Sequence, residues 1–513
     1  MLIIKNISIY LTKDLRILLD GLNLSITPGM KLALIGEEGN GKSTLLKAIA
    51  DPDSILDYAQ VEGEIYRGDE ILGYLPQEVS QGDLQMTTKA FIDSRNSQDH
   101  RDYGRYYELL ASMGLSEDRI SEDILLGELS GGEKIKLQLL TILLQNPTVL
   151  LLDEPTNDLD LESIQWLEGL IQRLPIPLLF ISHDEQLLEN CANAILHMEQ
   201  LMRKSLPKHN LVNMKYSDYL INRSEKIERL TRIAKKQREE LDQKLDRYRK
   251  IYQKVERDQR NITRQDPAMG KHLKDKMHTI KAMGRRFEKE EQSLTKKPDY
   301  EDSILVRFDE GVQIPRGKRV LDFSLEELTI GELVLSRDIH LEIIGPQKIC
   351  ILGRNGAGKT TILKRILREL DHSGIPYGYM PQDYRDQMRP EESAVDFLAA
   401  SGTKEEITKV RTYLGSMNFT AEEMHHPICE LSGGQRAKLY FSKMILEQSQ
   451  VLVLDEPTRN LSPLSGPEIR AALRGFGGAI IAVTHDRKLV DEVFDEIYYL
   501  KKSGLTRIIR KQI

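Results

Sequence analysis

Apolar and polar positions alternate in two different ways along the chain. Near both ends, short apolar runs are separated by stretches with helical spacing, and two of these runs lie at residues 149–152 and 451–454. Short apolar runs between polar flanks are typical of strands buried on both faces, and strands that alternate with helices form parallel sheets. The pattern therefore predicts an α/β fold with a mainly parallel sheet at each end of the chain.

The middle of the chain follows a helical pattern instead. From about Tyr219 to Val255, apolar residues recur mostly at steps of three or four. The spacing breaks at residues 261–270 and resumes from Leu273 to Leu294. Pro267 and Gly270 lie in the break, and both are turn signals. We expect two antiparallel helices of about 40 residues each, which form a hairpin on the order of 60 Å long.

The length and composition indicate a soluble protein of several domains. A chain of 513 residues is too long for one hydrophobic core. No apolar run approaches the roughly 18 residues of a membrane helix, and the N-terminus lacks the features of a signal peptide. The three cysteines lie far apart, which argues for a reducing compartment and against disulfides or a zinc site. We therefore expect a cytoplasmic protein without a membrane-spanning part.

The net charge of −7 conceals an uneven distribution. Residues 223–297 contain 24 Lys and Arg against 13 Asp and Glu, so this segment carries +11 and the remainder −18. An acidic body with one strongly basic segment predicts that only the segment contacts a polyanion.

Six short motifs occur twice in the same order. The first copy begins with GEEGNGKS (36–43) and continues with YLPQ, LSGGE, VLLLDEP, NDLD and SHD. The second begins with GRNGAGKT (353–360) and continues with YMPQ, LSGGQ, VLVLDEP, RNLS and THD. Most motifs share an offset of 302 residues, and the copies align once one region is shortened by 15. We predict duplicated domains at 1–205 and 301–513, with a basic helical-hairpin linker at 206–300 and its tip at about 259–272.

The first motif of each copy, GxxxxGK[ST], is a phosphate-binding loop when it lies between a strand and a helix, as its flanks predict. The glycines allow backbone N–H groups to converge on a phosphate at a helix N-terminus. Lys42 and Lys359 are expected to reach the β- and γ-phosphates, and Ser43 and Thr360 to ligate Mg²⁺. Two matches, each followed by the same five motifs, argue against coincidence.

An acidic pair follows a buried strand in each copy. Asp153 and Asp455 end these strands, at the edge where ligands bind in parallel sheets, and are expected to hold Mg²⁺ indirectly. Glu154 and Glu456 come next and are positioned to polarise an attacking water as general base. A solvated acidic turn is the structural alternative, and the phosphate loops argue against it.

The LSGG motifs complete the pattern. Ser130 and Ser432 are predicted helix N-caps, each followed by glycines and a long amphipathic helix. An isolated SGG is usually structural. Placed shortly before an acidic strand, it is the signature of the ATP-binding cassette family, which this chain resembles over roughly residues 1–205 and 301–513.

The resemblance implies ATP hydrolysis with ATP and Mg²⁺ as cofactors. In this family each ATP lies between the phosphate loop of one cassette and the signature of the other, so that ATP closes the cassettes and hydrolysis opens them. The family also assigns Gln77 and Gln382 to sensing Mg²⁺ and water, and His183 and His485 to contacting the γ-phosphate. The first expected site comprises Tyr10, Gly36, Gly39, Gly41, Lys42, Ser43, Thr44, Gln77, Asp153, Glu154 and His183 with Ser432, Gly433 and Gly434. The second comprises Gly353, Asn355, Gly356, Gly358, Lys359, Thr360, Thr361, Gln382, Asp455, Glu456 and His485 with Ser130, Gly131 and Gly132.

Two departures make the copies unequal. Tyr10 occupies the position where the family stacks an aromatic ring on adenine, whereas the second copy has ELTI at 327–330. Asp160 matches an aspartate that bridges the cassettes in the family, whereas its counterpart is Ser462. We therefore expect the two sites to hydrolyse ATP at different rates.

A twin cassette joined by a basic helical hairpin resembles the ABC-F proteins. These translation factors bind the ribosome at the exit-tRNA site, and their hairpin reaches towards the P-site tRNA and the peptidyl-transferase centre. The run EPTRNLSPLSGP at 456–467 resembles the antibiotic-resistance branch of the Vga and Lsa type. That branch protects the large subunit from lincosamides, streptogramin A compounds and pleuromutilins. The resemblance implies a monomeric ribosome-binding ATPase whose partners are large-subunit rRNA and P-site tRNA.

The hairpin tip is the expected RNA contact. An excess of Arg and Lys on a protruding rod fits contact with a nucleic-acid backbone, whereas a solvated spacer would carry balanced charges. Met269 is placed to approach an apolar drug pocket. A plain turn is the alternative. The expected phosphate-binding residues are Arg257, Arg260, Arg264, Lys271 and Lys274.

Three other functions share part of this pattern. An ATPase subunit of a membrane exporter has no need of a basic hairpin. A housekeeping ABC-F factor that acts on stalled ribosomes shares every motif. A DNA-repair ATPase usually inserts zinc modules or far longer coiled coils, which the sequence lacks.

Overall fold

The computed structural model describes residues 1–96, 102–201, 206–261, 267–293, 308, 311–384, 388–399, 401–417, 419–459 and 461–508. The chain forms two compact units, one made of Met1–Tyr216 with Glu301–Ile513 and the other of Ser217–Tyr300. Both copies of the repeat belong to the first unit, and the basic segment forms the second. The predicted domain boundaries at residues 205 and 300 lie outside the described residues.

The first copy of the repeat is built from two sheets. A six-stranded sheet has the order β5-β6-β7-β3-β8-β9 and is parallel except for β9, and a separate antiparallel sheet has the order β2-β1-β4. The elements are β1 Leu2–Leu11, β2 Ile17–Ile26, β3 Lys31–Ile35, α1 Lys42–Ala50, β4 Ala59–Tyr66, β5 Leu72–Leu75, α2 Gln81–Leu84, α3 Thr88–Arg95, α4 Tyr103–Met113, α5 Gly131–Leu143, β6 Val149–Asp153, α6 Leu161–Arg173, β7 Leu178–Ile181, α7 Glu185–Cys191, β8 Ala194–Gln200 and β9 Leu206–Val212.

Continuous apolar runs form the centre of this sheet. All residues of β6 and β7 are buried, because helices cover both faces of a parallel sheet and leave no polar side. Leu45, Leu46 and Ile49 of α1 pack into the same core. The predicted α/β fold with a mainly parallel sheet is confirmed in this cassette.

The basic segment folds as an antiparallel helical hairpin of α8 Tyr216–Arg260 and α9 Pro267–Ser293. Pairs of residues show the antiparallel direction. Arg238 Nη1 lies 2.7 Å from Glu291 Oε1, the rings of Tyr248 and Phe287 are 5.8 Å apart, and Gln259 Nε2 donates to Leu273 O at 3.1 Å. The apolar seam contains buried Val255, Leu273, Met277 and Ile280.

One detail of the hairpin differs from the prediction. Pro267 begins α9 instead of lying in the turn, since proline fits the first helical turn, where its missing N–H has no partner to lose. The described part of α9 spans 27 residues, and the residues directly before and after it lie outside the described part of the chain. Arg264 and Leu294 lie outside the described residues.

In the residues that the structure describes, the second copy repeats the first with one strand fewer. Its six-stranded sheet has the order β13-β14-β15-β12-β16-β17, parallel except for β17, and its antiparallel sheet contains β10 and β11. The elements are β10 Arg319–Ile330, β11 Leu333–Ile344, β12 Lys348–Leu352, α10 Lys359–Ser373, β13 Tyr377–Met380, α11 Ala394–Leu398, α12 Lys404–Ser416, α13 Gly433–Leu446, β14 Val451–Asp455, α14 Gly466–Gly475, β15 Ala479–Val483, α15 Arg487–Val493, β16 Glu496–Lys501 and β17 Gly504–Ile508.

The missing strand explains the unequal spacing of the motifs. In the first cassette β4 lies between α1 and β5, whereas only residues 374–376 separate α10 from β13. Twelve of the 15 residues that the second copy lacks fall between the phosphate-loop lysine and the glutamine, which are 35 residues apart in the first copy and 23 in the second, and this is the region that encodes β4 in the first. The parallel sheets and the phosphate loops keep their relation because the deletion removes a whole strand at one edge.

No helix in the described part of the chain is long and apolar enough to cross a membrane.

Candidate ATP sites

The phosphate loops connect β3 to α1 and β12 to α10. Lys42 Nζ donates to Gly36 O and Glu37 O at 2.9 Å, and Lys359 Nζ donates to Gly353 O at 2.8 Å and to Arg354 O at 3.0 Å. Each ammonium group is thus held inside its own loop, beside the N-terminus of the helix. Thr44 and Thr361 follow within the first helical turn.

The loop backbone requires glycine. Gly39, Gly41, Gly356 and Gly358 have φ values of 81°, 88°, 77° and 95°, which L side chains rarely adopt. At Gly36 a Cβ atom would also lie 2.2 Å from Met198 O on β8. The loop can therefore turn tightly against the sheet and direct its N–H groups inward.

The predicted magnesium residues are adjacent in both cassettes. Ser43 Oγ donates to Asp153 Oδ1 at 2.8 Å, and Thr360 makes the equivalent hydrogen bond to Asp455. Burial raises the pKa of each aspartate to about 6. Asp455 Oδ2 is buried without a hydrogen-bond partner among the described residues. A hydrated Mg²⁺ beside Thr360 fits this arrangement, because it would compensate the buried charge.

The two candidate bases are held in a strained backbone conformation. Glu154 and Glu456 have φ values of 48° and 52°, although they are not glycines. Such residues occur where the surrounding structure over-determines the backbone, commonly at functional sites.

Glu154 lies at the centre of a hydrogen-bond network. Its carboxylate receives bonds from Gln77 Nε2 at 3.0 Å and Asn157 Nδ2 at 2.7 Å, and lies 3.0 Å from His183 Nε2. Burial alone would raise the pKa of Glu154, but the attraction of His183, with help from Lys42, lowers it to about 2. Burial opposes the charge on His183 as well, yet Glu154 raises its pKa. The first cassette thus contains an ionised, oriented carboxylate.

The equivalent group in the second cassette is different. His485 N donates to Glu456 Oε2 at 3.2 Å, and His485 Nε2 lies 3.7 Å from Oε1. Burial raises the pKa of Glu456 to about 7 and lowers that of His485 to about 3. His485 Nδ1 is buried without a partner among the described residues, whereas His183 Nδ1 lies 2.6 Å from Leu461 O of the other cassette.

The signature motifs begin helices α5 and α13. Ser130 and Ser432 are N-caps, as predicted, and each forms a reciprocal capping box with Glu133 or Gln435. A Cβ on Gly131 would lie 2.3 Å from Asp158 O, and one on Gly132 would lie 2.5 Å from Ser163 Oγ. These glycines therefore let the start of α5 approach both the loop after β6 and the first turn of α6.

A cavity of about 790 Å³ brings together twelve of the fourteen residues of the predicted second site, whereas Gly353 and Gly132 are not part of its lining. It lies between the signature of the first cassette and the phosphate loop of the second. Two contacts close its rim: Asn355 Nδ2 donates to Asp158 O, and Arg459 Nη2 lies 2.8 Å from Asp158 Oδ1. Its lining includes Ser130, Gly131, Asn355, Gly356, Gly358, Lys359, Thr360, Thr361, Gln382, Asp455, Glu456 and His485.

At the first site, the contact between the phosphate loop and the opposite signature involves Glu37 and Glu38, which the motifs did not single out. Gly434 N, at the start of α13, donates to the carboxylate of Glu38 at 2.7 Å, and Ser465 Oγ donates to Glu37 at 3.4 Å. Gly433 and Ser432 belong to the same helix start. The phosphate loop of the first cassette therefore touches the signature of the second. Glu38 occupies the same position in its phosphate loop as Asn355 in the other. Because Asn355 was a predicted site residue, this alignment could have identified Glu38 as well.

The two departures of the sequence have different structural outcomes. The hydroxyl of Tyr10 lies 3.4 Å from Glu62 on β4, and Arg16 Nη2 contacts the phosphate loop at Gly39 O, 3.3 Å away. Asp160 caps α6 through Ser163 N at 3.0 Å and accepts from the backbone of Asn355 across the interface. Ser462 instead caps a local turn through Leu464 N.

Asp486 provides a test of the electrostatics beside the second site. Burial, with Asp184 and Glu185 nearby, raises its pKa to about 6. A folded pKa above the unfolded value near 4 means that ionisation penalises the folded state increasingly as pH rises through about 4 to 6. Asp486→Asn keeps the N-cap acceptor for Leu489 N and removes the charge. We expect its stability advantage in urea unfolding to grow by about 1 kcal/mol from pH 5 to pH 8.

The control for this measurement is Asp102→Asn, at the exposed N-cap of α4. Its effect on the free energy of unfolding should be the same at both pH values. A pH-independent difference for Asp486→Asn would show that the charge of Asp486 does not penalise the fold.

Comparisons with known proteins agree with this geometry. The ABC transporter family profile matches residues 19–157 and 336–459, which together span just over half of the chain. The chain is 27% identical over 529 residues to the probable ATP-binding protein YheS of Escherichia coli K12, covering 96% of this chain and 77% of that protein. It is 27% identical over 534 residues to ABC transporter F family member 2 of Arabidopsis thaliana, covering 94% and 74%.

The fold is also similar to that of the archaeal ribosome recycling factor aABCE1, solved with the ribosomal stalk protein aP1. The TM-score is 0.58 at 16% identity, and the match covers 98% of this chain and 90% of that one. Domains of this kind hydrolyse ATP with Mg²⁺, and two of them pack face to face here. The chain therefore belongs to the ABC transporter family and is a twin-cassette ATPase.

Proposed function

We propose that this protein is an ABC-F ATPase that binds the ribosome and protects it from antibiotics at the peptidyl-transferase region. The observation that carries the ribosome proposal is the charge of the hairpin: +11 over residues 223–297, on a chain that is otherwise acidic. Helices α8 and α9 present Arg257, Arg260, Lys271 and Lys274 as exposed side chains. Exposed cations along a rod suit a phosphate backbone.

The relatives support the ribosome as the partner. The matched Arabidopsis protein carries the F family name, and the structurally similar archaeal factor is a ribosome recycling factor. In the proposed cycle, ATP joins each phosphate loop to the opposite signature, and hydrolysis releases the protein. The proposed contacts are large-subunit rRNA and P-site tRNA from the exit-tRNA side, and the proposed location is the cytoplasm.

The antibiotic part of the proposal has a separate basis. It depends on the run EPTRNLSPLSGP at 456–467, which resembles the Vga and Lsa type. In this run Arg459 pairs with Asp158 across the second site, and Leu461 O contacts His183 of the first. The run therefore connects both ATP sites. The housekeeping alternative shares the ribosome and differs in the drug phenotype.

Ribosome binding is tested by trapping. In a bacterial host, the Glu154→Gln, Glu456→Gln double variant should co-sediment with ribosomes on a sucrose gradient in the presence of ATP, because it binds ATP and cannot release it by hydrolysis. The matched control adds Lys42→Ala and Lys359→Ala, which remove the loop cations needed for ATP, and should remain at the top of the gradient. Sedimentation with membranes, or failure of the double variant to shift, would refute the ribosome proposal.

The drug phenotype separates the two ABC-F alternatives. A sensitive host that expresses the wild-type chain should grow at higher concentrations of a lincosamide or a pleuromutilin than the same host with the empty vector. Ribosome trapping without any gain in drug tolerance would select the housekeeping function.

A further inference from the structure

A buried group of ion pairs joins the two cassettes. The side chains of Glu185, on α7, and Arg470, on α14, are each 4% exposed, and Arg470 Nη2 lies 3.3 Å from Glu185 Oε2. Lys488 Nζ contacts the same carboxylate at 3.0 Å. The packing around the Glu185 carboxylate is tight, since a Cβ on Gly466 would lie 2.0 Å from Glu185 Oε1. A carboxylate from the first cassette is thus enclosed by cations of the second.

The repeat generates a second pair beside the first. Arg487 Nη1, on α15, lies 2.9 Å from Glu168 Oε2 on α6, and Arg487 Nη2 lies 3.3 Å from Asp184 Oδ1. Arg487 is the counterpart of Glu185, and Arg470 is the counterpart of Glu168, at the offset of 302 residues that relates the motifs. The two pairs are therefore related by the pseudo-twofold symmetry of the cassettes.

At these related positions, each cassette carries charges of one sign only. The first cassette is acidic at both positions, with Glu168 and Glu185, and the second is basic at both, with Arg470 and Arg487. The charge difference between the cassettes extends to neighbouring positions, since Lys488 of the second cassette corresponds to Gln186 of the first. The groups that hold these residues differ too. Glu492 lies 3.2 Å from Arg470 Nε, whereas its counterpart Asn190 donates to Glu168. A symmetric contact between like cassettes would need self-complementary charges at these positions, and neither cassette has them.

We propose that these four residues determine which cassettes pair: a first cassette docks on a second cassette, and two copies of the same cassette do not dock on each other. Two first cassettes in this arrangement would place Glu168 against Glu185, and two second cassettes would place Arg470 against Arg487. Buried like charges oppose such pairing, whereas the observed arrangement matches opposite charges twice. The pairing rule holds whether or not the protein acts on ribosomes, since both ATP sites need this interface.

A charge-reversal cycle on the full-length chain tests the proposal. Glu168→Arg and Arg487→Glu should each lower ATP hydrolysis at least about tenfold, because each sets like charges together and opens the composite sites. The double variant restores an opposite pair and should be at least about fivefold more active than the less active single variant. The midpoints of thermal unfolding should also be lower in the single variants than in the double variant. The test therefore remains informative if a single variant folds poorly.

Two matched controls define the outcome. Arg470→Glu with Arg487→Glu also changes two residues but makes both cassettes acidic, and it should be no more active than the single variants. The exposed pair Lys89 and Glu122, reversed in the same way, should leave activity and midpoint unchanged. A Glu168→Arg, Arg487→Glu variant as impaired as the all-acidic variant would overturn the proposal, because charge complementarity would then not govern the interface.

Discussion

Replacing Glu154 and Glu456 together by Gln is expected to lower ATP hydrolysis by about a hundredfold or more while ATP binding is kept. Glutamine preserves the shape of each side chain and can accept hydrogen bonds at one of its two terminal positions, but it cannot accept a proton from the attacking water. The phosphate loops and Lys42 and Lys359 are unchanged, so nucleotide affinity should stay within a few-fold. Phosphate release and filter binding of labelled ATP measure the two properties separately.

The single variants should be unequal. Glu154 is held by Gln77, Asn157 and His183, and its pKa is lowered to about 2, so it is ionised at neutral pH. The pKa of Glu456 is raised to about 7, so much of it is protonated there. Because a general base is most effective when its pKa lies near the working pH, Glu456→Gln should cause the larger loss at pH 7. Equal losses would show that the two sites do not differ, and Glu122→Gln, on the exposed surface, serves as the neutral control.

Reversing four cations of the hairpin should produce the second large effect. In Arg257→Glu, Arg260→Glu, Lys271→Glu and Lys274→Glu combined, we expect ribosome affinity to fall by on the order of a hundredfold and its salt dependence to weaken, because fewer counterions are released from RNA. These side chains are exposed, and the seam of Val255, Leu273, Met277 and Ile280 is untouched. Pelleting with ribosomes at several salt concentrations, in the Glu154→Gln, Glu456→Gln background, measures the affinity.

A cassette control removes the same number of charges. Lys318, Lys404, Lys409 and Lys502 are exposed on the two-cassette unit, and their reversal should weaken ribosome binding much less. Basal ATP hydrolysis without ribosomes should be unchanged in the hairpin variant. If the hairpin and cassette substitutions weaken ribosome binding equally, the hairpin contributes to binding only through the net charge of the protein. The proposed RNA contact would then be wrong.

Local patterns predicted most of what lies within one cassette. The continuous apolar runs became β6 and β14, since a strand covered by helices on both faces needs apolar residues at every position. Ser130 and Ser432 cap their helices because their hydroxyls can accept from N–H groups that lack a helical partner. The hairpin followed from its helical spacing, although the start of α9 at Pro267 was placed too late.

Contacts between the cassettes were not predictable in the same way. Glu185 and Arg470 are 285 residues apart, and no local pattern relates them. The contact of Glu38 with Gly434 depends on how the two sheets face each other, which spacing does not specify. The 15-residue difference between the copies was visible in the sequence. That it removes strand β4 required the structure, because a length difference does not identify the missing element.

The left-handed backbone at Glu154 and Glu456 has a further consequence for engineering this protein. A non-glycine residue in this conformation costs on the order of 1 kcal/mol, which Gly would recover at the same position. This applies most to Glu456, where burial already penalises the ionised carboxylate, whereas Glu154 is also held by Gln77, Asn157 and His183. A laboratory selection for heat resistance alone would be drawn towards inactive chains, so libraries of this ATPase have to be screened for turnover together with thermal stability.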